Sequence, residues 1–219
     1  VAQGTLPMLV SFSNSGDTEL RTFAAFAVAQ MSRNSDMMEI VTEEGGLEPV
    51  LYLARSDDKN TQREVLPALT TLSFLDCNKV PICMNGALPP IVGCISEDNN
   101  DTKESQMACC AIANLVEAAE NMQAAVNHGC LSLLIEALDS KSEAVQREAA
   151  RAVGNFALNV DYCDMILSQN VIECLVACFQ SRNCECQRMA SMALSNVSSN
   201  LKSHEGFLKH NILDLVKTE

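Results

Sequence analysis

Three side-chain sets in this 219-residue chain could do chemistry: eleven cysteines, three histidines and a recurring pattern of asparagine and arginine. Cys184-Glu-Cys186, Cys174 with Cys178, and Cys109-Cys110 would invite a metal or redox reading, but none has the paired CxxC spacing of a zinc site. Most of the cysteines, among them Cys94, Cys109, Cys110, Cys174 and Cys178, lie in apolar runs, where a free thiol behaves as a small hydrophobe. Their number is odd and none precedes Cys77, so we expect free thiols and a reducing, cytoplasmic setting. His128, His204 and His210 stand in polar stretches with no nucleophile arranged beside them, and no phosphate-cradling glycine motif occurs. The expectation is therefore a non-enzymatic protein without metal or cofactor.

The asparagines and arginines recur at fixed intervals. Asn114, Asn155 and Asn196 fall three residues after Ala111, Ala152 and Ala193, and the first two copies of the pattern place Gln30 and Thr71 there instead. Eight residues earlier the row reads Thr22, Arg63, Gln106, Arg147 and Arg188, and Arg151 adds a cation four residues before Asn155. An amide offers both a donor and an acceptor, and a guanidinium pairs a carboxylate bidentately. Such rows suit capture of a polypeptide better than a reaction.

The elements that carry these rows are repeats. GTLPMLV (from Gly4), GGLEPVL (Gly45), GALPPIV (Gly86), GCLSLLI (Gly129), NVIECLV (Asn170) and NILDLV (Asn211) align without gaps, at spacings of 41, 41, 43, 41 and 41 residues. Leu6, Leu47, Leu88, Leu131, Ile172 and Leu213 follow these anchors by two residues, and Leu9, Val50, Ile91, Leu134, Leu175 and Val216 by five, the spacing of one helix face. Each unit reads as a short helix, a Gly or Asn turn of the kind that ends helices in a left-handed residue, a second helix, a polar loop and a third helix. The two extra residues of the third unit fall in the polar stretch Ser96 to Thr102. Pro67 lies inside the third-helix block of unit 2, where it either kinks the helix or marks a later start.

On these anchors and their period the chain resembles the armadillo-repeat family over its whole length. The resemblance implies an all-α, right-handed superhelical solenoid of about five three-helix repeats across residues 1–219, with partial repeats at both ends. It also implies that the third helices line a concave surface. There the amides of Asn114, Asn155 and Asn196, facing solvent in the free protein, would hold the backbone of an extended peptide. Gln30, Arg63, Gln106, Arg147, Arg151 and Arg188 would complete that groove, with the arginines reading acidic side chains. The nuclear-import adaptors of the family carry Trp four residues before the groove Asn; here Phe26, Pro67, Cys110, Arg151 and Met192 stand there, which argues against that mode.

The formal net charge of −13 excludes a general nucleic-acid binder, and no window reaches the roughly 18 apolar residues of a membrane span. A protein or peptide partner is expected, bound by an adaptor. The alternative is a structural scaffold joined by end or lateral contacts. The sequence leaves the oligomeric state open.

Overall fold

The computed structural model describes residues 4–95, 102–168, 170–199 and 203–209. Unit 1 contributes α1 (Thr5–Phe12) and α2 (Thr18–Ser32). Unit 2 is α3 (Met38–Glu43), α4 (Leu47–Ala54) and α5 (Lys59–Leu72). Unit 3 is α6 (Asp76–Ile82), α7 (Leu88–Val92) and α8 (Lys103–Leu115), and unit 4 is α9 (Ala119–Asn127), α10 (Cys130–Ala137) and α11 (Glu143–Phe156). Unit 5 is α12 (Val160–Leu167), α13 (Val171–Phe179) and α14 (Cys184–Ser198), and α15 (His204–Lys209) follows it. No strand occurs among the described residues.

The anchor residues do what their type suggests. Gly4, Gly45, Gly86 and Gly129 have φ of 114°, 78°, 84° and 75°, and Asn170 holds the same left-handed turn at 54°. Asn211 and the extra residues of unit 3 at 96–101 lie outside the described residues. Four of the five third helices begin at side chains that accept from their own first turn, as Asp17 does from Glu19 and Leu20, Asp58 from Asn60 and Thr61, Thr102 from Ser105, and Asn183 from Glu185 and Cys186. The α5 helix starts at Lys59 and runs through Pro67, so the later start is ruled out.

Stacking of unit on unit forms one aliphatic core. The third helices pack in series, α2 on α5, α5 on α8, α8 on α11 and α11 on α14. Leu88 and Leu131 are each 1% exposed. The approach of α14 to α11 is close enough that a Cβ on Gly154 would meet the Ala193 Cα at 3.1 Å. That contact explains a glycine in mid-helix, where alanine would otherwise be preferred by about 1 kcal/mol.

Candidate binding surface on the third helices

The asparagine row is tied to the protein itself. Asn155 Nδ2 donates to the Ala113 carbonyl at 3.0 Å and Asn196 Nδ2 to the Gly154 carbonyl at 2.9 Å, each reaching back into the preceding third helix. Asn114 Nδ2 donates to Ser73 Oγ at 2.9 Å, and Ser73 Oγ donates to the Thr70 carbonyl at 2.7 Å, so a hydroxyl relays the same link. The expectation that these amides face solvent is overturned: Asn114 is 2% exposed and Asn155 9%, while Asn196 is half-buried. The row position could not reveal this, because the amide bends onto the neighbouring helix across a 41- or 42-residue separation. What remains for a ligand is the acceptor side, since the three Oδ1 atoms have no hydrogen-bond partner among the described residues.

Units 1 and 2 lack the link. Gln30 is exposed and accepts from Arg33 Nη1 at 2.9 Å, and Thr71 Oγ1 turns back to the Pro67 carbonyl at 2.9 Å within its own helix. Between units 2 and 3 Thr70 Oγ1 adds to the Asn114–Ser73 link by donating to the Met107 carbonyl at 3.2 Å.

Arg147, Arg151 and Arg188 each already have a carboxylate. Glu148, whose side chain is 10% exposed, sits between Arg147 Nη2 at 2.7 Å and Arg151 Nη2 at 3.0 Å. Arg151 Nη1 also reaches Glu117 at 3.3 Å, and Glu117 pairs with the buried Lys79 at 2.5 Å, which holds Asp76 at 2.6 Å. The network thus crosses from unit 3 into unit 4. Burial alone would lower the Lys79 ammonium, but its hydrogen bonds to Asp76 and Glu117 outweigh this and hold it above its ordinary value, while the same bond lowers Asp76. Arg188 pairs with Glu185 at 2.7 Å and stays open to solvent. Arg63 is exposed, with no ion pair among the described residues, and Gln106 is half-buried on α8.

These groups converge. Phe74, Cys110, Arg147, Glu148, Arg151 and Arg188 line a shared depression of about 220 Å³, closed further by Met189. Phe74 is 55% exposed, an aromatic edge that the asparagine and arginine rows do not include. A fourth column, three residues after the asparagine row, reads Arg33, Phe74, Glu117, Leu158 and Ser199, and would have brought Phe74 and Glu117 forward. Arg151 Nη2 also donates to the Cys110 carbonyl at 3.2 Å. Burial, with Glu148 adding to it, pushes the Cys110 thiol up to about 11. It is therefore a thiol and a poor nucleophile at neutral pH. All eleven cysteines are free.

Among the described residues no three His, Cys, Asp or Glu side chains come together as a metal site, and no single helix is long and apolar enough to cross a membrane. The surface can therefore offer acceptors, paired charges of both signs and an aromatic rim.

The model of the Armadillo/beta-catenin-like repeat matches residues 119–158, which is unit 4. The crystal structure of an engineered protein is similar at 27% identity, over 98% of this chain and 90% of that one, with a TM-score of 0.77. A computationally designed armadillo repeat protein for modular peptide recognition shares the fold at 22% identity, over 97% of this chain and 91% of its own, with a TM-score of 0.79. A designed armadillo repeat protein solved in complex with the peptide (KR)4 is 26% identical over 89% of this chain and 82% of its own, with a TM-score of 0.68. The family model thus identifies unit 4 as an armadillo repeat, and the whole chain has the fold of solenoids built from that repeat.

Proposed function

We propose that the chain is a non-enzymatic, protein-binding repeat scaffold that takes an extended peptide along α8, α11 and α14. The observation that carries this reading is the charge state of the surface. In a chain of net −13, Arg147, Arg151 and Arg188 are balanced by Glu117, Glu148 and Glu185, so a peptide approaches a neutral groove instead of a repelling one. Two designed relatives bear on peptide binding as such, one made for modular peptide recognition and one holding the basic peptide (KR)4; a preference for acidic side chains rests on the arginines of this chain.

The binding mode follows from which atoms are left free. Asn114, Asn155 and Asn196 accept peptide N–H groups through Oδ1 while Nδ2 stays in its stitch. Acidic side chains on the peptide compete with Glu185 and Glu148 for Arg188 and Arg147, and Arg188 opens first because its pair is the most exposed. Selection of a displayed random decapeptide library on the immobilised protein tests this, with the double variant Arg147→Glu, Arg188→Glu as counter-target. The reading expects enriched sequences with Asp or Glu that lose more than tenfold in affinity for the variant. Enriched peptides that bind both proteins equally would refute it.

A further inference from the structure

The second helices form clefts between neighbouring units, and two of these differ in charge. Between α10 and α13 the cleft is lined by Glu136, Asp139 and Glu173 with Cys174 and Ala177. In the same register between α1 and α4 stand Asn14, Glu48, Pro49 and Tyr52, joined by Arg21 and Arg55, around a volume of about 390 Å³. That size is within the roughly 300–1,000 Å³ range of small-ligand clefts.

Arg21 is the unusual residue. Its position is held by Gln62, Gln146 and Gln187 in units 2, 4 and 5 and by Ser105 in unit 3. Gln62 Nε2 donates to the Ser56 carbonyl at 2.7 Å to close the loop between second and third helix. Arg21 does the same work, giving Nε and Nη2 to the Ser15 carbonyl at 2.9 and 2.7 Å. It adds what glutamine lacks: a positive charge and an Nη1 without a hydrogen-bond partner among the described residues. The Tyr52 ring supports it, with the guanidinium carbon 5.6 Å from the ring centre. The Tyr52 hydroxyl makes no hydrogen bond among the described residues. Arg55 is held by Glu48 at 2.5 Å, a carboxylate that is 61% exposed. Ser13 and Asn14 are already spent on the Val10 carbonyl.

We propose that the Arg21–Tyr52–Arg55 cleft binds a phosphate monoester dianion carried on a side chain of a protein partner. Two guanidinium groups match two negative charges once the exposed Glu48 turns away. Arg55 Nη1 gives one proton to the Asn85 carbonyl at 3.4 Å and Nη2 one to Glu48, so the remaining donors, Arg21 Nη1, the Tyr52 hydroxyl and the second proton on Arg55 Nη1 and Nη2, suit a group with three peripheral oxygens better than a two-oxygen carboxylate. A protein-borne phosphate is favoured over a lipid headgroup, because a chain of net −13 is repelled by an anionic membrane surface.

The test uses the absence of Trp and the presence of two tyrosines. In a Tyr162→Phe background Tyr52 is the sole strong emitter, and its fluorescence is followed on adding inorganic phosphate, O-phospho-L-serine or glycerol 3-phosphate at constant ionic strength with chloride. The proposal expects a saturable millimolar response to phosphate and a tighter one to phosphoserine. Both weaken at pH 5.5, where the second phosphate proton returns. Arg21→Gln, which installs the residue of units 2, 4 and 5 and keeps the loop bond, abolishes the response, as does Arg55→Gln. Glu48→Gln strengthens it by about three- to tenfold by removing the competitor. A response no different from chloride, one unchanged in both arginine variants, or a preference for glycerol 3-phosphate would each overturn the proposal.

Discussion

Units 1–2 and units 3–5 are built on one pattern, yet they are fastened differently. From unit 3 onward an amide in each third helix donates into the one before it, directly or through Ser73, and ion pairs run from Lys79 to Arg147. In units 1 and 2 the same position holds Gln30 and Thr71, which bond within their own helix or its end. In the apolar column Leu9 of unit 1 is half-buried, whereas Val50 of unit 2 is as fully covered as Ile91, Leu134 and Leu175. A repeat fold can therefore hold its period while concentrating rigidity, and with it a preorganised surface, in part of its length.

The largest effect that tests this contrast is loss of a core anchor. Leu131→Ala, at 1% exposure in unit 4, should cost about 2–5 kcal/mol, read as a lower urea midpoint, and Leu9→Ala markedly less. Equal losses would dissolve the contrast. Next comes the stitch. Asn155→Ala leaves the buried Ala113 carbonyl without its donor and should cost roughly 1–3 kcal/mol, while Thr71→Ala removes a hydroxyl bond within one helix and should cost under about 1 kcal/mol. The same logic lowers the melting temperature of the triple Asn114→Ala, Asn155→Ala, Asn196→Ala variant.

A smaller effect comes from the thiols. Burial raises Cys83 and Cys110 to about 11 and Cys130 to about 12. A group raised on folding contributes stability that is complete below its unfolded value and is lost as pH climbs towards the folded one. With reductant present, the melting temperature should fall progressively from about pH 8.5 to 11. Because Cys83 and Cys130 lie deep while Cys77 is exposed, Cys83→Ala with Cys130→Ala should flatten that fall and Cys77→Ala should not. A flat profile in the unaltered protein would show that these thiols do not report on the core.

The smallest expected effect is electrostatic. Arg188→Gln, at a side chain 66% exposed, should leave the melting temperature unchanged within a degree or so, whereas Arg151→Gln uncouples Glu117 from Glu148 and lowers it.

Much of the scaffold was legible in residue types. A Gly or Asn every 41 to 43 residues marks a left-handed turn that the geometry requires, and the i, i+3 leucines mark the buried face. The surface was only half legible. Glu185 with Arg188 and Glu148 with Arg151 are one helical turn apart and readable from spacing, but Glu117 with Arg151 depends on how far one unit rotates on the next. The column position of Asn155 likewise fixes its helix face and not whether its amide meets water or the neighbouring helix. The cleft at Tyr52 is not legible in the repeat pattern, because Glu48, Tyr52 and Arg55 occupy second-helix positions outside the buried columns and Arg21 of α2 joins them only through the packing of one unit on the next.

The central claim, that units 3–5 present the peptide-binding face, is tested most directly by methionine methyl NMR. Met189 lines the depression and Met192 lies three residues on along α14, whereas Met8, Met84 and Met165 are exposed elsewhere. With a peptide from the library selection titrated into 13C-methyl-methionine protein, the account predicts saturable shifts at Met189 and Met192 with Met8, Met84 and Met165 unmoved. Shifts confined to Met8, Met84 or Met165 would contradict it.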